Sequence, residues 1–189
     1  MATHPPERRP TPLDRNTELF SALAVSESVT VACPAGSAWQ LVCTIERIGE
    51  FSPECAEAHW LDGATGPAVG ARFDGTNRVT VDGGELVWTR TCTVTALVPG
   101  EHFAYVVGDR FDGTAASEWA FTVLARSAET CRITQSFRHL PDGMSGTRSQ
   151  ADAHPDEAAE IVDRRAGQLR AGMRQTLARM RAVLEATNT

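Results

Sequence analysis

The pattern of apolar and polar positions divides the chain into three stretches. From Ala56 to His139 it alternates with a period of two, and turn residues interrupt it at Asp62-Gly63, Asp82-Gly83-Gly84, Pro99-Gly100, Asp112-Gly113 and Ser127 to Glu129. Strands fit between these marks over about Ala56 to Leu61, Gly70 to Arg78, Glu85 to Leu97, Glu101 to Val107, Ala115 to Leu124 and Thr130 to Arg138. Their short connections require antiparallel neighbours, because a parallel pair needs a crossover of roughly a dozen residues or more. Ahead of this meander, Ser28 to Cys33 alternates as a first strand. Pro34 then opens a helix with Trp39, Val42 and Ile45 on one face, ending before Gly49. Phe51-Ser52-Pro53 predicts a second short helical turn, since the residue before a proline leaves helical dihedrals. Behind the meander, Pro155 to about Ala186 predicts one long helix. Its stripe of Ile161, Val162, Leu169, Met173, Thr176, Leu177, Met180, Val183 and Leu184 recurs at intervals of three, four and seven.

The same alternation assigns faces to the strands. Thr89, Thr91, Thr93 and Thr95 form one side of the longest strand, leaving Trp88, Arg90, Cys92, Val94 and Ala96 for the interior. The test places Phe73, Gly75 and Asn77 inside, then Phe103, Tyr105 and Val107, then Ser117, Trp119, Phe121 and Val123, then Cys131, Ile133, Gln135 and Phe137. Ala58 and Trp60 face inward and His59 outward. A curved, one-sided sheet covered by a single helix with a narrow apolar stripe leaves its concavity unfilled, which predicts a pocket of roughly 300 to 1,000 Å³. Its expected lining is Phe73, Asn77, Trp88, Arg90, Cys92, Phe103, Tyr105, Ser117, Trp119, Phe121, Ile133 and Gln135 from the sheet, with Leu169, Met173, Thr176 and Leu177 from the helix.

Composition narrows what such a pocket could serve. With 189 residues the prior is one domain, residues 26–187, behind a proline-rich mobile tail at residues 1–25. All 18 basic residues are arginine, so no Schiff base and no Gly-Lys-Ser/Thr phosphate loop can form from this chain, and the bias suggests GC-rich coding of the actinobacterial type. Twenty-four carboxylates give a formal charge of −6, which disfavours a nucleic-acid partner. Cys33, Cys43, Cys55, Cys92 and Cys131 are odd in number and widely spaced, which fits a reducing cytoplasm better than a disulfide framework. No stretch is apolar enough for a signal peptide or membrane insertion, and the histidines form no metal constellation. The expectation is therefore a cytoplasmic monomer or homodimer, without metal or cofactor, whose partner is a hydrophobic small molecule.

Specific residues sharpen the fold. Cys33-Pro-Ala with Trp39, Ile45-Glu-Arg-Ile-Gly-Glu-Phe-Ser-Pro-Glu-Cys55, Trp60-Leu-Asp-Gly63, Val69-Gly-Ala-Arg-Phe73, Gly75-Thr-Asn-Arg78, Trp88-Thr-Arg-Thr-Cys-Thr-Val94, Glu118-Trp-Ala-Phe121 and the helix from Gly172-Met to Leu177 all belong to one pattern. Over about Glu27 to Ala186 the chain resembles the polyketide cyclase/dehydrase branch of the START-like (SRPBCC, Bet v 1-like) superfamily. The resemblance implies an α+β helix-grip fold, a curved antiparallel sheet of about seven strands around a long C-terminal helix, with two short helices after the first strand. It also implies a hydrophobic ligand held between helix and sheet, with cyclase, aromatase, hydrolase or dehydratase activity in some members. Thr44 departs from the pattern, standing where similar sequences often carry Asp. No catalytic residue is shared across the superfamily, so none is carried over.

Two residues are candidates for chemistry. Arg90, if the strand is regular, puts a costly charge on an interior face that offers no carboxylate; a bulge or register slip would turn it outward. Tyr105, the single tyrosine, could hold or protonate a carbonyl oxygen, or be a core aromatic with one hydrogen bond. Asn77, Ser117 and Gln135 could orient a polar ligand group or satisfy one another. Two functions follow: binding of a lipid, polyketide or aromatic metabolite, or a cofactor-independent cyclase, aromatase or dehydratase acting on a carbonyl compound in the same cavity. With Arg90 the single charged candidate inside, binding is slightly favoured, while loop residues such as Asp112 or Asp142 could supply the base that catalysis needs.

Overall fold

A computed structural model describes residues 14–81 and 83–187. Helix α1 (Asp14–Ser21) leads into strand β1 (Ala24–Val31), followed by α2 (Ala35–Cys43), a 3-10 turn (Ile45–Arg47) and α3 (Ile48–Phe51). The meander then runs β2 (Cys55–Trp60), β3 (Arg72–Val81), β4 (Gly84–Val98), β5 (His102–Gly108), β6 (Ala115–Ala125) and β7 (Cys131–His139). Helix α4 (Gly146–Ala153), a 3-10 turn (Pro155–Glu157) and α5 (Ala158–Ala186) close the chain. The seven strands form one antiparallel sheet in the order β1-β7-β6-β5-β4-β3-β2, and α5 lies against β1 and β7 and against α3. This is the helix-grip architecture.

Four features differ from the sequence reading. Residues 14–25, assigned to the tail, are α1 and the start of β1, and Phe20 and Asn16 are buried there; residues 1–13 of the tail lie outside the described residues. Helix α4 occupies a stretch for which no element was predicted. The helix opened by Pro34 ends before Gly49 as expected but already at Cys43, so Ile45 falls in the 3-10 turn and not on its face; Gly49 lies within α3, where a Cβ would overlap the carbonyl oxygen of Ala56 on β2. Finally, a bulge between Val94 and Ala96 pairs Ala96 with Ala104 and Leu97 with Phe103. The extra residue shifts the phase, so Leu97 takes the interior position that simple alternation gives to Ala96.

The core is split in two. The larger cluster joins the sheet to α2, α3 and the C-terminal half of α5 through Val31, Phe103, Phe121, Ile133, Leu177 and Met180. The smaller joins α1, the start of β1, the end of β7, α4 and the N-terminal half of α5 through Phe20, Val25, Phe137, Ile161, Leu169 and Met173. Adjacent inward positions on one strand therefore belong to different clusters, and the polar residues between them lie on the seam.

Candidate functional site

The β3–β4 ladder is unbroken from Arg72 opposite Thr93 to Val81 opposite Gly84. Phe73 thus faces Cys92, Gly75 faces Arg90, and Asn77 faces Trp88. Arg90 keeps the phase of buried Cys92 and stands on the concave face. Its Nη1 donates to the carbonyl of Thr89 at 2.7 Å, and it makes no ion pair with any described residue. Burial lowers its pKa, the nearby Arg110 charge lowers it further, and Asp109 acts in the opposite sense.

Deeper in the concavity, aromatic rings form a continuous row. Trp60 meets Phe73 edge-on at 5.4 Å, Phe73 meets Tyr105 at 5.0 Å, and Tyr105 lies tilted against Phe103 at 5.6 Å. Cys55 and Cys92 stand beside this row, and burial pushes the Cys55 thiol up to about 11. Burial, then the Cys92 and Cys55 thiols, hold the Tyr105 hydroxyl well above the ordinary phenol range. Tyr105 is therefore a donor at neutral pH and not a base. Trp119, opposite Tyr105 in the ladder, turns its ring to Phe137 at 5.1 Å.

Four polar groups on these walls have no partner. The hydroxyls of Tyr105, Ser117 and Thr176 make no hydrogen bond with any described residue, and Oε1 of Gln135, a residue 6 % exposed, is enclosed without one. Gln135 sits between Ile133 of the larger cluster and Phe137 of the smaller; Thr176 sits between Met173 and Leu177, which divide the same way. Both lie on the seam between the clusters. More than nine in ten buried polar groups find a partner, so the enclosed Oε1 of Gln135 is the exception on this wall, while the three hydroxyls are not fully enclosed. Of the other residues assigned to the lining, Phe103, Phe121, Ile133 and Leu177 are enclosed in the larger cluster, and Leu169 and Met173 in the smaller.

An open groove lies elsewhere. A groove of about 430 Å³ runs between α5 and β1, lined by Ser28, Val29, Arg174, Leu177, Ala178, Arg181, Ala182 and Glu185. Of the predicted lining, Leu177 alone reaches it. Its charges are already engaged: Arg174 with Glu27 at 2.7 Å, Arg181 with Glu185 at 3.0 Å, and Glu185 also with the Ala32 amide at 3.1 Å. With its hydrogen-bonding capacity spent internally, this groove is a weaker candidate than the concave face.

The sequence reading missed a polar cluster at the corner of α1, β7 and α4. Arg148, 0 % exposed, bonds Asp152 at 3.2 Å and Thr17 Oγ1 at 3.3 Å, and its guanidinium lies 5.1 Å from the centroid of the Phe20 ring. His139 Nδ1 donates to the Leu140 carbonyl at 2.8 Å, which leaves Nε2 to accept from Ser145 Oγ at 2.9 Å. Ser145 Oγ in turn accepts the Arg148 amide, capping α4. Burial, opposed by the Leu140 hydrogen bond and aided by the Arg148 charge, drops the His139 pKa to about 4. The imidazole is neutral and fully engaged, and serves structure.

A curved sheet gripping one long helix, with unpaired polar groups on its concave wall, defines a protein of the SRPBCC or Bet v 1-like class. Residues 22–185 match the polyketide cyclase / dehydrase and lipid transport family, and the chain belongs to it. The polyketide-cyclase-like protein Cgl2372 of Corynebacterium glutamicum is similar at 28 % identity, with a TM-score of 0.62 over 88 % of this chain and 93 % of that one. The aromatase/cyclase ZhuI of Streptomyces sp. R1128 shares the fold at 20 % identity and TM-score 0.53, covering 83 % of this chain and 92 % of its own. MLL2253 of Mesorhizobium loti does so at 17 % identity and TM-score 0.57, covering 88 % of this chain and 99 % of its own. No curated protein matches the sequence. Among the described residues no helix is long and apolar enough to cross a membrane.

Proposed function

We propose that the protein binds a hydrophobic or aromatic small molecule carrying several oxygen functions, of the polyketide or lipid kind, between the concave sheet face and α5. The unpaired polar groups of Tyr105, Ser117, Gln135 and Thr176 on an otherwise apolar wall carry this reading. An apolar wall supplies affinity through burial, and isolated polar groups fix orientation. The ligand's oxygens would accept from Tyr105 and from the hydroxyls, while a ligand hydroxyl would donate to Gln135 Oε1.

Catalysis is the second reading, favoured by Arg90 together with Tyr105 on one face and by the family. In a cyclase, both would donate to a carbonyl oxygen as an enolate carbon attacks the carbonyl carbon, Arg90 offsetting the developing negative charge. What weighs against it is that the candidate bases among the described residues are engaged: Asp109, whose charge acts on Arg90, has Oδ1 taken by the amides of Phe111, Asp112 and Gly113. His139 is engaged and titrates near 4, Glu27 is held by Arg174, and Tyr105 remains protonated. Binding is therefore the function supported best. Native mass spectrometry of protein purified from an actinobacterial host is expected to show a retained small molecule that Gln135→Leu releases. Conversion of a poly-β-ketone by wild type, abolished in Arg90→Ala with binding retained, would replace the carrier reading with the enzyme.

A further inference from the structure

The concave face does not stop at the body of the protein. Strand β5 begins to pair with β4 at Cys92, opposite Val107, and β2 pairs with β3 no further than Cys55 opposite Asn77 and the Arg78 amide on the Glu54 carbonyl. Beyond these points the ladder pairs β3 and β4 only with each other among the described residues, although Gly108 still lies against the Thr91 carbonyl and Asp109 and Arg110 lie near Arg90. The two strands project as a two-stranded ribbon that turns at Gly83 and Gly84. An isolated pair of strands is marginal in water, and a bare apolar side on it costs further stability.

The register makes the ribbon's inner side a continuation of the wall. Val79 pairs with Leu86, in phase with Asn77 and Trp88, then Gly75 and Arg90, then Phe73 and Cys92. Exposure rises along this line, from 4 % at Phe73, through half-buried Arg90, Trp88 and Val79, to 54 % at Leu86. Neither Trp88, Val79 nor Leu86 joins either packed cluster. The six-residue path from Cys92 to Leu86 spans about 20 Å, at roughly 3.3 Å per residue. That is an apolar track with one cation set partway along it.

We propose that this inner side of the ribbon, Val79, Leu86 and Trp88, is the outer half of the binding site, and that the ligand is an elongated amphiphile. One apolar part enters beside Phe73 and Tyr105, an acidic or carbonyl group meets the Arg90 guanidinium, and a second apolar part lies along Trp88, Val79 and Leu86. The proposal rests on the concave-face reading above but adds length as the selected property. A compact ring system would lie against Phe73 and Tyr105 and leave the ribbon bare.

Titration of the full chain with octanoate, dodecanoate and hexadecanoate, with anilinonaphthalene sulfonate as a compact anionic probe, separates these cases. The expected result is affinity rising by about tenfold or more from dodecanoate to hexadecanoate as further methylenes leave water. The double variant Val79→Ser with Leu86→Ser should erase that gain while leaving the compact probe unchanged. Val87→Ser, on the ribbon's convex side opposite Arg78, should change neither. Affinity that is flat beyond dodecanoate overturns the track, as does a Val87→Ser loss equal to that of the double variant, which would report ribbon folding instead. A dimer that the double variant splits, with the chain-length dependence intact, would show that a second copy covers the ribbon and also overturns the track. Binding of the compact probe with no fatty acid bound overturns the track alone; failure of every probe overturns the concave-face reading with it.

Discussion

At the corner of α1, β7 and α4, the buried polar groups are knit together, whereas on the concave face they are left unpaired. Arg148, His139, Asn16 and Ser145 each have protein partners at the corner, and the Ser149 hydroxyl is the exception. On the concave face Gln135 Oε1 is enclosed without a partner, and the less enclosed hydroxyls of Tyr105, Ser117 and Thr176 have none among the described residues. One chain thus satisfies its buried polar groups in one region and leaves them open in another. The open set shares a wall with the aromatic row and with Arg90, which argues for a ligand surface over careless packing. The comparison also separates two treatments of buried polar groups: the corner pairs them within the protein, and the wall leaves them available, as the proposed binding site requires.

The sharpest way to break this contrast is at Arg148. Arg148→Met keeps much of the side-chain volume but strands Asp152 and releases Thr17, and is expected to cost about 3 kcal/mol or more, read by urea denaturation. A loss under about 1 kcal/mol would mean the corner is not a structural lock. The next largest effect is a pH dependence. The folded His139 imidazole stays neutral down to about 4, against an ordinary value of 6.5. The unfolded chain takes up a proton across that window, so stability falls as pH drops from about 6.5 to about 4, by up to roughly 3 kcal/mol, and is constant above it. His139→Gln should flatten that slope. Denaturation midpoints equally pH-dependent in both proteins would assign the acid sensitivity to other groups.

The two regions also differ in how far the sequence discloses them. The concave wall was readable because the period-two alternation from Phe73 to Phe137 survives in the folded sheet, and the unbroken β3–β4 register resolves the direction of Arg90. It failed at Ala96, since nothing about Thr95 announces a bulge. The corner was illegible for a physical reason: α1 offers Leu19 and Phe20 as its apolar residues, and α4 anchors itself through Arg148 and Ala151. A buried arginine carries no apolar signal, and its partners lie 131 residues away at Thr17 and four away at Asp152. Which wall groups end up unpaired was equally hidden, because that depends on how α5 and the two core clusters seat against the sheet.

Gln135→Leu tests the unpaired side of the comparison. Removing an enclosed, unpartnered oxygen should leave stability unchanged or raise it by about 1 kcal/mol, while weakening retention of the bound molecule. That combination, opposite in sign to Arg148→Met, is what distinguishes a recognition group from a structural one. A loss of stability in Gln135→Leu would show that its amide is already satisfied in solution.

The smallest expected effect supplies the control. On the convex face Arg138 and Glu118 form a two-pronged pair at 2.8 and 3.0 Å, shorter than the 3.2 Å contacts of Arg148 with Asp152. By distance alone the convex pair should be the stronger. Its arginine side chain, however, is 57 % exposed where that of Arg148 is 0 %. Exposed ion pairs contribute below about 1 kcal/mol and weaken with salt, because water already solvates both charges. Arg138→Ala should therefore lower stability by less than about 1 kcal/mol, lose even that at high ionic strength, and leave ligand binding untouched. If it proved as costly as Arg148→Met, pairing geometry would outweigh burial, and the unpaired groups of the concave wall would lose their significance as a mark of function.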